Sequence, residues 1–152
     1  MTAYPEFWEH EYSKHLICAI GQVPQMHSVQ TAFQSVVQLH SNITIHSALL
    51  AAGIKPSMRP ISLQLIISAL QNEFGVLPQA RCNGPSMSWL STVLFCFNTE
   101  LQLIDCPTVG LQVSSETPAV SKADALCSAD RLIVYPTATI RLREVNAALH
   151  KL

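Results

Sequence analysis

Phe7-Trp8-Glu9-His10-Glu11-Tyr12-Ser13-Lys14-His15-Leu16-Ile17-Cys18 is the stretch around which the chain is organised. On an α-helix, at about 100° per residue, four of its ionisable side chains share an arc of roughly 140°. These side chains are His10, Glu11, Lys14 and His15. The adjoining sector is apolar and predicts a buried side of the helix. It consists of Trp8, Tyr12, Leu16 and Ala19. Two imidazoles beside a carboxylate and an ammonium can transfer protons near neutral pH and hold an anion.

Composition indicates one globular domain. The chain has 152 residues, of which 49% are hydrophobic and 12% charged, and its net charge is −1. Because a nearly neutral surface does not attract a polyanion as a whole, these values exclude a general nucleic-acid coat protein and favour a local site. No window approaches about 18 consecutive apolar residues, so no membrane span is predicted, and the first five residues carry no signal-peptide pattern.

Hydrophobic spacing predicts four helices in the first half of the chain. The first is expected to start at Pro5, and the others to cover about 28–40, 44–52 and 62–74, with Ser28 as a cap. The last two are expected to end at Gly53 and Gly75, each with a proline three residues later.

After residue 80 the periodicity changes to that of strands. Strands are predicted at Ser88–Phe97, Leu101–Asp105 and Arg131–Tyr135, a loop at 110–122 and a short tail helix at 142–152. The predicted fold class is therefore α+β, with helices followed by antiparallel strands. The five cysteines are Cys18, Cys82, Cys96, Cys106 and Cys127. They are consistent either with disulfides in a secreted domain or with ordinary buried thiols in a cytosolic one.

The opening stretch resembles the second active-site segment of the ribonuclease T2 family, whose pattern is Phe-Trp-x-His-Glu-Trp/Tyr-x-Lys-His-Gly-Thr-Cys. Later landmarks are similar to that family in the same order. They are Gly53-Ile54-Lys55-Pro56, Pro78 to Cys82, Cys96, Cys106-Pro107, and Cys127 with Ile133-Val134-Tyr135-Pro136. The resemblance extends over residues 5–136 and is greatest to the plant branch. It predicts a domain at 1–136 and a tail outside the family at 137–152.

The resemblance implies endonucleolytic cleavage of single-stranded RNA, in which the ribose 2′-hydroxyl attacks the neighbouring phosphorus and leaves a 2′,3′-cyclic phosphate. It implies a base at His15, transition-state stabilisers at Glu11 and Lys14, and a phosphate contact at His10, without a metal or cofactor. The family's acid is a histidine in an upstream His-Gly-Leu-Trp-Pro segment, which these 152 residues do not contain. We therefore expect an N-terminally incomplete lyase of impaired activity.

Two alternatives stay open at this point. One is a catalytically inactive protein of the same fold that binds RNA or phosphate or serves for storage. The other is an unrelated cytosolic helical protein with an accidental match, which a Cys82–Cys127 bond would exclude. The resemblance implies that bond and a second one, Cys96–Cys106, while Cys18 stays unpaired because its family partner lies upstream. It also implies a secreted or vacuolar location, and the absent upstream strands predict self-association through an exposed sheet edge.

Other features of the chain lead to further expectations. Where the family has Gly-Thr this chain has Leu16-Ile17, and Leu16 is expected to enter a helix contact at a cost of about 1–3 kcal/mol. No metal site is predicted, because His10 and His15 would diverge by roughly 140° on an α-helix. Asn42-Ile43-Thr44 is either a glycosylation sequon or a turn. Trp8 and Tyr12 are expected in the core, and the other histidines on the surface. Those histidines are His27, His40, His46 and His150.

Overall fold

A computed structural model describes residues 5–83, 86, 88–107, 125–128 and 130–137. The chain divides into two compact units. The first unit is Met1–Thr44 with Phe97–Leu103, and the second is Ile45–Cys96 with Ile104–Leu152. The predicted loop at 110–122, the tail helix at 142–152 and His150 lie outside the described residues. The predicted domain bounds of 1–136 and 137–152 therefore stay a prediction.

The first unit is helical. Helix α1, Pro5–Glu11, continues into a π-helical turn, Tyr12–Leu16, and helix α2 covers Val29–Asn42. The predicted start at Pro5 is confirmed. So is the cap at Ser28, whose hydroxyl accepts a 3.2 Å hydrogen bond from the Thr31 backbone N–H. The Thr31 hydroxyl in turn accepts a 3.0 Å bond from the Ser28 N–H, so two otherwise unpaired donors of the helix start are satisfied.

A small core lies between these helical segments. Its buried members are Val23, Met26 and Ala32, with Leu16, Ala19, Ile20 and Leu101 packed around them. The apolar sector was thus correctly predicted at Leu16 and Ala19, and Tyr12 is half-buried. The prediction was wrong at Trp8, which is 51% exposed. The reason is that Trp8 lies two turns before Leu16, beyond the residues that form the core, and its ring makes edge-on contacts with Phe7 and with Phe33 of α2.

The second unit contains the other two helices, α3 at Ile45–Ala51 and α4 at Leu63–Phe74. Helix α4 ends as predicted. Gly75 adopts the left-handed conformation, with φ 74°, and its N–H donates to the Gln71 carbonyl. Only glycine takes up that conformation without strain, so the sequence position of the helix end follows from local chemistry.

Among the described residues there are seven strands, of which two short ones fall partly in each unit. They are β1 Ser57–Ser62, β2 Gln79–Asn83, β3 Trp89–Leu94, β4 Cys96–Phe97, β5 Leu103–Ile104, β6 Ala125–Leu126 and β7 Leu132–Tyr135. Five of them form one sheet in the order β1-β7-β3-β2-β6, and β4 pairs with β5 separately. Strands β1, β2 and β6 were not predicted. Strand β1 contains Pro60, which is tolerated because the strand lies at an edge, and β6 has only two residues.

The expectation of a wholly antiparallel sheet needs one correction. Strand β7 pairs antiparallel with β1 but parallel with β3, with Trp89 opposite Val134. A parallel pair requires a long connection between its strands, and the interval from β3 to β7 provides one. Because β7 enters between β1 and β3, its direction depends on residues far away in sequence.

The core of the second unit encloses one of two disulfides. Its largest fully buried side chains are Leu49, Ile66, Leu70, Ile133 and Cys82. Cys82 is bonded to Cys127 and Cys96 to Cys106, whereas Cys18 is exposed and carries a free thiol. The pairing implied by the family resemblance is confirmed. The alternatives of five buried thiols and of an accidental match are wrong.

Among the helices that the structure describes, none combines the length and the apolar composition that a bilayer crossing requires.

Candidate active site

The π-helical turn brings the two histidines of the opening stretch together. The ring centroids of His10 and His15 are 5.6 Å apart, with the ring planes inclined by 69°. The turn is closed by a 3.0 Å hydrogen bond from the Ile17 N–H to the Tyr12 carbonyl, five residues back. In such a repeat, residues five apart lie one above the other, as residues four apart do in an α-helix. The predicted divergence of the two imidazoles is therefore wrong, because it assumed uniform α-helical geometry.

Glu11 completes a cluster with these imidazoles. One side-chain nitrogen of each histidine and one carboxylate oxygen of Glu11 all lie within 4.8 Å of one another. His10 and His15 are exposed, and Glu11 is half-buried. The structure thus unites three of the four predicted site residues. Lys14 is exposed on the same π-helical turn, without a hydrogen bond or ion pair to the residues described here.

This arrangement suits proton transfer at a phosphate. Imidazoles exchange protons near neutral pH, so two of them clustered within 4.8 Å of one carboxylate oxygen can divide the roles of base and proton donor. An anion at the exposed rim would meet these imidazoles, and Lys14 is exposed on the same π-helical turn. Because the histidines are exposed, a polymeric substrate can reach them.

The same three side chains have the composition of a metal site. Two histidines and one carboxylate are a ligand set that catalytic zinc uses, and the spacing of their ligand atoms is compatible with one cation. The expectation of no metal rested on divergent histidines and so loses its geometric basis. The absence of a metal stays a prediction, because the expected acid–base chemistry uses the same side chains that a metal would bind.

Two exposed aromatic rings lie within one turn before His10. Phe7 is 53% exposed, and its ring meets that of Trp8 edge-on at 5.2 Å. Exposed aromatic faces are the surfaces on which proteins stack nucleobases. Sequence reasoning missed Phe7, although a signal was available. Phe7 shares its helix face with Glu11 and Lys14 through the i, i+4, i+7 spacing, and so lies on the ionisable side.

The remaining described histidines lie elsewhere, as predicted. His27, His40 and His46 are exposed. His46 Nδ1 lies 3.1 Å from the Tyr135 hydroxyl at a pocket of about 510 Å³ in the second unit. Burial raises the pKa of the Tyr135 phenol. The pocket walls are mostly aliphatic, and no cluster of ionisable groups comparable to the one around His15 is described there.

Comparison with known proteins gives one family. The family model described as "Ribonuclease T2 family" matches residues 2–106. Ribonuclease T2 of Sus scrofa is 33% identical over 116 residues, which are 74% of this chain and 58% of the relative. Ribonuclease 1 of Arabidopsis thaliana is 34% identical over 104 residues, 66% of this chain and 44% of the relative. Animal and plant proteins both match, so the predicted plant branch is not confirmed.

Solved structures match in the same way. Human RNase T2 superimposes with a TM-score of 0.70 at 28% identity, over 86% of this chain and 60% of that one. Ribonuclease MC1 from bitter gourd seeds does so with a TM-score of 0.59 at 29% identity, over 70% and 56%. A variant of RNase MC1 has been solved in complex with 5′-GMP, at the same level of similarity. The chain spans a little over half the length of the porcine relative.

Proposed function

The chain belongs to the ribonuclease T2 family, and we propose from this that it serves endonucleolytic cleavage of single-stranded RNA through a 2′,3′-cyclic phosphate. The observation that carries the proposal is the cluster of His10, Glu11 and His15, whose reactive atoms lie within 4.8 Å of one another. These residues and Lys14 occupy the positions that the family pattern assigns to catalysis. The nucleotide bound to the RNase MC1 variant is consistent with the proposed substrate class.

Each residue receives a role in the proposed reaction. His15 takes the proton of the 2′-hydroxyl as that oxygen attacks phosphorus. Lys14 and Glu11 stabilise the transition state as charge grows on the phosphoryl oxygens, and His10 contacts the phosphate. The 5′-oxygen that leaves must then be protonated, and this step needs an acid on the opposite side of phosphorus.

The presence or absence of that acid determines whether the activity is full or impaired. These 152 residues contain no His-Gly-Leu-Trp-Pro segment, so we propose that they cleave RNA slowly on their own. Losing one partner of an acid–base pair typically removes about 10²–10⁴ in rate. The lack of this segment also supports the alternative, an inactive protein that binds RNA or phosphate.

The decisive experiment compares His15→Ala with His27→Ala. Both histidines are exposed, but only His15 belongs to the cluster. The readout is the release of 2′,3′-cyclic phosphate ends from a homopolymer RNA, first with the 152-residue chain alone and then with the upstream half of a relative added as a separate fragment. We expect slow release by the chain alone, a gain with the fragment, and loss of that gain in His15→Ala but not in His27→Ala.

Three other outcomes of this experiment have a clear meaning. Fast release by the chain alone, abolished in His15→Ala, would show that His10 or another residue here supplies the acid, and impairment would be wrong. Equal activity of His15→Ala and the unchanged chain with the fragment would refute the assignment of the base. No release in any mixture, together with RNA binding that weakens in Lys14→Ala, would establish the inactive alternative.

We also propose a secreted or vacuolar location and a tendency to self-associate. The location is supported by the two disulfides, which persist in oxidising compartments. Self-association is proposed because β1 and β6 are the outer strands of the described sheet, so each has one side without a strand partner there. The outer strand β1 carries the exposed residues Arg59 and Pro60, both of which discourage edge pairing. Light scattering over a concentration series tests it, and a monomer at every concentration would refute it.

A further inference from the structure

Asn42-Ile43-Thr44 is the single Asn-X-Ser/Thr sequence in the 152 residues, and its middle residue is not proline. Such a sequence is the acceptor for N-linked oligosaccharide when it is displayed on the surface of a protein in the secretory pathway. Its frequency by chance is high, so the structure around it decides whether a modification site is credible.

The structure displays both chemical groups of this acceptor. Asn42 is the last residue of α2, and the chain leaves the helix at Ile43, which has φ −107° and ψ 91°. Asn42 and Thr44 are exposed, whereas Ile43 between them is half-buried. In extended backbone, alternate side chains point to the same side. The Asn42 amide and the Thr44 hydroxyl are therefore presented together to solvent.

A structural role for Asn42 is not apparent. Asparagine often ends a helix in the left-handed conformation, but the only described non-glycine residues with positive φ are Ser86 and Leu101. Ile43 caps the helix instead, because its N–H donates a 3.3 Å hydrogen bond to the His40 carbonyl. Within the described part of the chain, the Asn42 side chain has no hydrogen-bond partner.

The disulfides supply an independent observation about compartment. Cys82–Cys127 and Cys96–Cys106 require an oxidising environment, which for eukaryotic chains is the lumen in which oligosaccharide is transferred. We propose that Asn42 is N-glycosylated there. Its amide nitrogen bonds to the anomeric carbon of a lipid diphosphate-linked oligosaccharide, the lipid diphosphate departs, and one amide proton is released.

The position predicts what the glycan does and does not affect. Asn42 borders a pocket of about 270 Å³ in the first unit, where Leu39 and Leu101 are half-exposed. The innermost sugar would shield these two leucines. Along α2, Asn42 lies nine residues beyond Phe33, about 13.5 Å. The attachment point is therefore separate from the Trp8–Phe33 contact, at the C-terminal end of α2.

The test expresses the full 152-residue chain in eukaryotic cells behind a cleavable secretion leader. Three variants accompany it: Thr44→Ser keeps the hydroxyl, while Thr44→Ala and Asn42→Gln remove one acceptor group each. Electrophoresis before and after treatment with a peptide amidase measures the glycan. Peptide mass analysis locates it, because the amidase converts a modified Asn42 to aspartate. Chains retained in the cell are analysed from the membrane fraction.

Glycan on the unchanged chain and on Thr44→Ser, with none on the other two variants, is the expected result. Non-reducing peptide maps of the same material report the disulfides and so show that the chain entered the oxidising compartment. A chain with both disulfides and an unmodified Asn42 would overturn the proposal. So would a glycan that persists in Thr44→Ala.

Discussion

Removing the Cys82–Cys127 bridge is expected to destabilise the second unit more than removing Cys96–Cys106. The bonded cysteines are 45 residues apart in the first bridge and 10 in the second. A disulfide stabilises mainly by limiting the conformations of the unfolded chain, and this gain grows with the length of the closed loop. The perturbation is the double replacement of each pair by alanine.

The two replacements are matched in packing. Each removes one buried sulfur, at Cys82 (0% exposed) or Cys106 (3%), and one half-buried sulfur, at Cys127 or Cys96. The short bridge lies inside the long loop, so subtracting its 10 residues from 45 leaves about 35 that the long bridge alone constrains. The loop-entropy relation then gives about 3.8 kcal/mol for Cys82–Cys127 and about 2.7 kcal/mol for Cys96–Cys106. We expect a difference of about 1.1 kcal/mol.

Urea unfolding measures this difference. The chain has two tryptophans, Trp8 in the first unit and Trp89 in β3 of the second. In a Trp8→Phe background, the fluorescence of Trp89 follows the unit that carries both bridges. The free energies of unfolding are compared at equal slope, so that the denatured states are comparable. Equal losses, or a larger loss from the Cys96–Cys106 pair, would refute the loop-entropy reasoning.

Three further predictions follow from local features. Ser28→Ala removes the cap of α2 and should cost about 1 kcal/mol, whereas Ser41→Ala, at an exposed hydroxyl of the same helix, should stay within about 0.5 kcal/mol. Helical ellipticity on heating measures both, and equal effects would contradict the cap. Gly75→Ala forces a side chain into left-handed backbone and should cost about 1–2 kcal/mol in the Trp89 urea assay; no change would show that the helix end relaxes. Burial raises the pKa of the Tyr135 phenol in the folded protein above its value of about 10 in the unfolded chain. The contribution of this group to the free energy of unfolding is therefore fully present below pH of about 10 and is lost as the pH rises through the folded pKa. Tyr135→Phe should flatten that alkaline loss, and an unchanged slope would count against it.

Local chemistry in the sequence determined much of the helical part. The start of α1 at Pro5, the Ser28 cap and the Gly75 end were predicted because each depends on residues within one turn. The disulfide pairing came from the family resemblance, since spacing alone leaves several pairings open. The candidate site was also found through the resemblance, because its residues lie within six positions of one stretch that the family pattern covers. Their proposed roles stay a prediction.

The tertiary structure decided those features that depend on contacts between residues distant in sequence. The parallel pairing of β3 with β7 and the edge strand β1 depend on which segments meet across the sheet, and no short window of sequence contains that information. Trp8 is exposed because the core forms further along the helix, at Leu16. The meeting of His10 and His15 depends on one added residue in the hydrogen-bond repeat. A π-helical turn is less favourable than an α-helical one in isolation, so the spacing of residues along the sequence does not predict it.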